Sequence, residues 1–183
     1  FRKKVRKHAK EIGINIPALN AHTNLIDGIP NNRDKNFKFI QGAIELAADL
    51  EVNIIITGGG SKNLYGFEDN YWSVLIESLN ILLEYSKKLG VFIAIEAAGL
   101  PGNLIYNIEG MKKLFSKIDS QNIKVLFDPS HYFIRGDDVV KAFETFKDNV
   151  VHIHAKDAKG NYENFVFPPL GEGDINFQLL VQS

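Results

Sequence analysis

Five short apolar runs punctuate the chain, and between them apolar residues recur every three or four positions. The runs cover residues 14–20, 52–57, 91–96, 123–127 and 150–154. Their length, their β-branched residues and their lack of polar alternation predict strands covered on both faces. Pro17 weakens the first of them, because it has no N–H to give a ladder. Helical spacing links Phe1, Val5, Ala9 and Ile12, then Phe37, Ile40, Ile44 and Ala47, then Trp72, Leu75, Leu79, Leu82 and Leu83. It returns in Ile108, Met111, Leu114, Phe115 and Ile118, and again in Val139, Val140, Phe143 and Phe146. Each set marks the buried stripe of an amphipathic helix. Gly13 and Gly90 read as helix stops, Asp137 and Asp138 open the last complete helix, and Asp174 reads as the N-cap of another. Residues 27–34 read as a polar loop, and Gly58, Gly59 and Gly60 as a tight turn whose exposed amides suit an anionic group.

Strand and helix therefore alternate at roughly the 30-residue repeat of βαβ units, which predicts an α/β domain with a parallel sheet. Right-handed crossovers put the helices outside it, and the choice lies between an open doubly wound sheet and a (β/α)8 barrel.

Polar, chemically capable residues sit at one end of nearly every strand: His22, Glu96, Asp128 with His131, and His154 with Asp157. Pro129 ends the ladder after 123–127 and places Asp128 at the last position of that strand. Singly these residues have plain structural readings. Asp-Pro opens turns, a glutamate pairs with a lysine, and His152 is a hydrogen-bonded core residue. Together they argue for a barrel, in which all strand ends converge on one mouth. Strand alternation puts His152 and His154 on one face, with His154 nearer that mouth. Glu96, Asp128 and His154 then offer two carboxylates and an imidazole to one point, a set suited to manganese, zinc, magnesium or cobalt.

Several segments in order carry a family resemblance: Ile95-Glu96-Ala97-Ala98, Pro101-Gly102-Asn103-Leu104, Asp128-Pro129-Ser130-His131, Val151 through Asp157, and Gly171-Glu172-Gly173-Asp174. They resemble the xylose isomerase-like TIM-barrel superfamily and, more narrowly, its sugar phosphate isomerase/epimerase family. The resemblance implies that Glu96 is both a metal ligand and the catalytic base, and that Asp128 and His154 are further metal ligands. It implies a substrate-contacting or second-metal role for His131, and substrate-contacting roles for His22 and Asp157. It also implies a second catalytic glutamate on a late strand, which the chain does not reach. The expected activity is a divalent-metal-dependent isomerase or epimerase that moves a proton of a sugar or sugar phosphate through an enediolate. An inosose dehydratase-like lyase, an apurinic-site endonuclease and a non-catalytic sugar-binding barrel are the alternatives on the same scaffold.

Composition narrows this further. The 183 residues contain no cysteine, which excludes disulfides, thiolate catalysis and zinc–thiolate sites. The net charge of -1 names no polyanionic partner, and the lysines and arginines of residues 2–10 read as a solvated helix face rather than a nucleic-acid patch. No apolar run approaches the roughly 20 residues of a membrane span. The expectation is a cytoplasmic protein acting on a small sugar or polyol, with no nucleic-acid or membrane partner, and compatible with a homo-oligomer. The chain opens on Phe1, has Met111 as its single methionine and stops at Ser183. A barrel fragment lacking the first strand and the last two, poorly active alone, is the corresponding expectation.

Overall fold

The five runs form one all-parallel sheet in the order of the chain. In the computed structural model, which describes residues 1–62 and 68–183, the strands are β1 (Leu19–Asn20), β2 (Ile54–Gly58), β3 (Phe92–Glu96), β4 (Ile123–Phe127) and β5 (Val150–Ile153). Helix α1 (Arg2–Glu11) precedes the sheet. The crossovers carry α2 (Pro30–Leu50), α3 (Glu68–Lys88), α4 (Ile108–Lys117), and the pair α5 (Pro129–Ile134) and α6 (Val139–Phe146). A doubly wound sheet would reverse its strand order part-way; here no reversal occurs, and the sheet is an arc of a barrel. After β5 come a two-stranded antiparallel hairpin, β6 (Lys159–Asn161) and β7 (Asn164–Val166), and the short α7 (Phe177–Gln182).

Register fixes which side chains enter the barrel. Ile55, Ile93, Ile95, Val125 and Phe127 pack outward against the helices in one large core with Ile40, Ile44, Leu75, Leu79 and Met111. Ile54, Ile56, Ala94 and Leu126 form a separate inner layer. Alternation then carries Glu96 onto the face of Ala94, and Asp128 onto that of Leu126. Glu96 pairs with Leu126, and Leu126 with His152, so these three occupy one level. Asp128 and His154 stand one step nearer the mouth. The spacing read for α3 is equally faithful: Trp72, Leu75, Leu79, Leu82 and Leu83 are all buried.

Several expectations need correcting. The first strand is only two residues long, because Pro17 removes a ladder donor and Ile14 lies exposed. Helix α2 begins at Pro30, not after a loop ending at residue 34; a proline at the first helical position has the right φ and no orphan N–H. The stripe of α1 is not buried: Phe1, Val5 and Ile12 are exposed. Its basic face is partly paired, with Arg2 2.9 Å from Asp49 and Arg6 2.8 Å from Glu51. Gly58, Gly59 and Gly60 are buried and present no open anion cradle. A Cβ on Gly59 would strike the Ile105 side chain and one on Gly60 the Asn24 side chain, so both permit close loop packing. The cap of α7 is Asn176, which accepts from the Leu179 N–H at 2.9 Å, while Asp174 accepts from the Gly160 N–H at 3.4 Å. The hairpin left no trace in the apolar pattern, since Lys159, Gly160, Asn161 and Asn164 are polar or featureless. No helix among the described residues is long and apolar enough to cross a membrane.

Candidate active site

Asp128 lies just past the ladder of β4, still extended at φ -112 and ψ 103, and caps the six-residue helix α5. Its Oδ1 accepts from the Ser130 N–H at 2.9 Å and from the Ser130 hydroxyl. The other oxygen, Oδ2, takes no hydrogen bond among the described residues and faces the mouth. Pro129 starts α5, in which His131, three residues after Asp128, stands beside the carboxylate that caps the helix.

Five of the residues singled out from sequence meet here: His22, Glu96, Asp128, His131 and His154. Glu96 Oε2 lies 3.1 Å from His22 Nε2, and Oε1 lies 3.3 Å from His154 Nδ1 and 4.0 Å from His131 Nε2. Asp128 Oδ2 lies 3.7 Å from His131 Nε2 and 3.9 Å from His154 Nδ1. One donor atom each from Glu96, Asp128 and His131 fall within 4.8 Å of one another. Both carboxylates are buried, whereas the side chains of His22 and His154 are each 37% exposed and open on the mouth.

Burial opposes the charge on Glu96, but the His22 hydrogen bond and the three surrounding imidazoles outweigh it and hold the carboxyl below its usual range. Burial also pushes the His131 imidazole down, with Lys156 and His154 adding to the effect and Asp128 and Glu96 opposing it. The His131 Nδ1 is buried without a partner among the described residues. His152 stacks edge-on to His154 with ring centres 5.5 Å apart, one level deeper.

A family model described as Xylose isomerase-like TIM barrel matches residues 2–183. The chain belongs to that family. It is 27% identical over 127 residues to an inosose dehydratase of Salmonella agona (strain SL483), a match covering 61% of this chain and 42% of that protein. The chain thus matches less than half the length of this relative. A D-tagatose 3-epimerase-like protein superposes with a TM-score of 0.86 at 20% identity, over 99% of this chain and 70% of the other. An IOLI protein with a zinc atom superposes with a TM-score of 0.84 at 16% identity, over 99% of this chain and 66% of the other. At these identities the structural likeness speaks for the fold.

In this xylose isomerase-like barrel Asp157 is set apart from the cluster. Its carboxylate is 1% exposed and accepts from the N–H groups of Ala158 (2.9 Å), Gly171 (2.9 Å), Gly173 (2.9 Å) and Ile175 (3.3 Å). It thereby anchors the segment that follows β7. From that segment Phe167 roofs the site, its ring centre 6.0 Å from that of His131 and 3.6 Å from Lys156 Nζ. Lys156 reaches to 3.7 Å from Asp128 Oδ2. Arg135 ties the rim together. It donates through Nε to the Gly99 carbonyl at 2.7 Å and lies over the rings of Tyr106 and Tyr162 at 4.6 and 3.4 Å. Sequence reasoning passed over Lys156, Phe167 and Arg135, whose contacts span loops and leave no periodic mark. The single available signal was Lys156 adjoining Asp157 directly after a strand.

Proposed function

We propose that this chain carries the metal-binding part of an active site that moves a proton beside a carbonyl in a sugar or sugar-like polyol, as an isomerase or epimerase does. The reading rests on the convergence of Glu96, Asp128, His131 and His154 from the ends of three strands, with donor atoms of Glu96, Asp128 and His131 within 4.8 Å of one another and His154 Nδ1 3.3 Å from Glu96. The donor set fits a divalent cation such as manganese, zinc, magnesium or cobalt: two carboxylates with imidazole, and an Asp128 oxygen turned to the mouth without a hydrogen bond among the described residues. Glu96, Asp128 and His154 would hold the ion. His154 approaches Glu96 more closely than His131 does, 3.3 against 4.0 Å, while His131 is the nearer to Asp128, 3.7 against 3.9 Å, so His131 is the alternative third ligand. When bound, the ion would supply positive charge to the carbonyl oxygen, on which negative charge develops as the neighbouring carbon loses its proton.

The side chains supply the rest. Glu96 is held ionised by its imidazole neighbours and takes the proton from the carbon next to the carbonyl. His22 fixes the second oxygen of that carboxylate from the exposed side, where substrate enters. His131 meets substrate under the Phe167 roof. Asp157 contributes by setting the loop that carries the roof.

A dehydratase is the second reading, favoured by the 27% identity to a protein named inosose dehydratase. Proton removal by Glu96 would then be followed by loss of a neighbouring hydroxyl. Mass analysis of product separates the two, because dehydration changes the formula and isomerisation does not.

Metal content of the protein and of its Asp128→Ala and His154→Ala variants, measured by elemental mass spectrometry, tests the reading. The expected result is about one equivalent of a divalent metal in the parent, lost in both variants. A folded parent that takes up neither manganese nor zinc would refute it.

A further inference from the structure

Lys156 stands where a cation is wanted and where a second cation is costly. Its Nζ lies 3.7 Å from Asp128 Oδ2, and Ser130 occupies the other oxygen of that carboxylate. An ammonium and a divalent ion at one oxygen repel each other strongly in a half-buried setting. In the same position Nζ lies 3.6 Å from the centre of the Phe167 ring, whose face attracts a cation and holds the ammonium at the site independently of Asp128. The same ring lies edge-on to His131 at 6.0 Å, which puts the ammonium on the side of the site that carries the imidazoles.

We propose that Lys156 binds substrate through an anionic oxygen, that of a phosphate ester or a carboxylate, once a divalent cation takes Asp128 Oδ2. The inference rests on the metal reading above and adds a charge requirement for the substrate. Without an anion, Lys156 competes with the metal for Asp128. With one, its charge is neutralised and the competition ends. Metal and anion therefore bind synergistically, and by linkage each raises the affinity for the other by the same factor.

Calorimetric titration of metal-stripped protein with Mn2+ tests this in the parent, Lys156→Gln and Lys156→Arg, each without anion, with inorganic phosphate and with glycolate. Competition of either anion for free Mn2+ is common to the three proteins, so the differences between them carry the result. Lys156→Arg keeps the charge and controls for lost packing. Without anion, Lys156→Gln is expected to bind Mn2+ about fivefold tighter than the parent. One anion is expected to tighten Mn2+ binding in the parent and in Lys156→Arg by about fivefold relative to Lys156→Gln. Phosphate in that role assigns a phosphate ester, and glycolate assigns a carboxylate. Equal Mn2+ affinities in the parent and Lys156→Gln, or an anion response that ignores the substitution, overturns the proposal and leaves the metal site standing. Absence of Mn2+ uptake by all three proteins overturns the metal reading and the proposal together.

Discussion

Asp157 and Gly173 are shaped to each other. The Gly173 N–H donates to Asp157 Oδ2 at 2.9 Å, while a Cβ on Gly173 would overlap the same carboxylate. With Ala158, Gly171 and Ile175 also donating, one buried charge gathers both ends of the excursion between β5 and α7.

Asp157→Asn is expected to destabilise the protein by about 2–4 kcal/mol, because an amide keeps one acceptor oxygen and turns an NH2 toward backbone donors. Urea unfolding at neutral pH measures the loss. Burial opposes the Asp157 charge, yet the four backbone donors outweigh it and depress the folded pKa. The stabilisation is thus complete above the unfolded value of about 3.9 and fades as pH falls through the lower folded value. The gap between parent and variant should close under acid; a gap of constant size from pH 7 into that range would show that charge is not its source.

Gly99 offers a test of position rather than charge. A Cβ there would collide with the His131 backbone carbonyl, and both groups are part of the fold, so one loop must move. Gly99→Ala is expected to cost about 1–3 kcal/mol and to lower turnover. Metal content should stay at the parent's level, since His131 is assigned to substrate; simultaneous loss of metal would transfer His131 to the ligand set.

Glu96 and His131 are expected to separate in kinetics. Glu96→Gln should lower kcat by about 10²–10⁴-fold, the usual worth of a general base. His131→Asn should raise KM and retain the metal. Turnover of Glu96→Gln at the parent's rate would remove Glu96 from the chemistry.

Arg135→Met keeps much of the apolar stem but loses the planar cation over Tyr106 and Tyr162 and the hydrogen bond to Gly99. A cost of about 1–2 kcal/mol is expected, together with faster amide exchange in residues 99–107. Unchanged exchange there would mean that the loop holds itself.

The sequence made the barrel layers legible because the physics behind them is local. Strand 123–127 was read to the residue, and the convergence of strand ends on one mouth brought Glu96, Asp128 and His154 together. Length limits were less legible at β1 and α2, where Pro17 cut a strand short at its start and Pro30 began a helix early. The roof and rim were not legible. Arg135 reaches a carbonyl 36 residues away, and Phe167 gains its meaning from a lysine on a different loop. Such contacts arise from the closing of the fold and not from any repeat along the chain.

Tied loops run around the mouth in succession. The Asn24 side chain bonds the Ser61 carbonyl and N–H, the Lys62 N–H bonds Gly102, the Leu104 N–H bonds Gly60, and Arg135 joins Gly99 to Tyr162. A rim stitched in this way resists change by insertion, because lengthening one loop pulls on its neighbour's knots. Exchanging side chains between the stitches, at positions such as Lys156 and Phe167, would change the lining of the mouth while its outline persists.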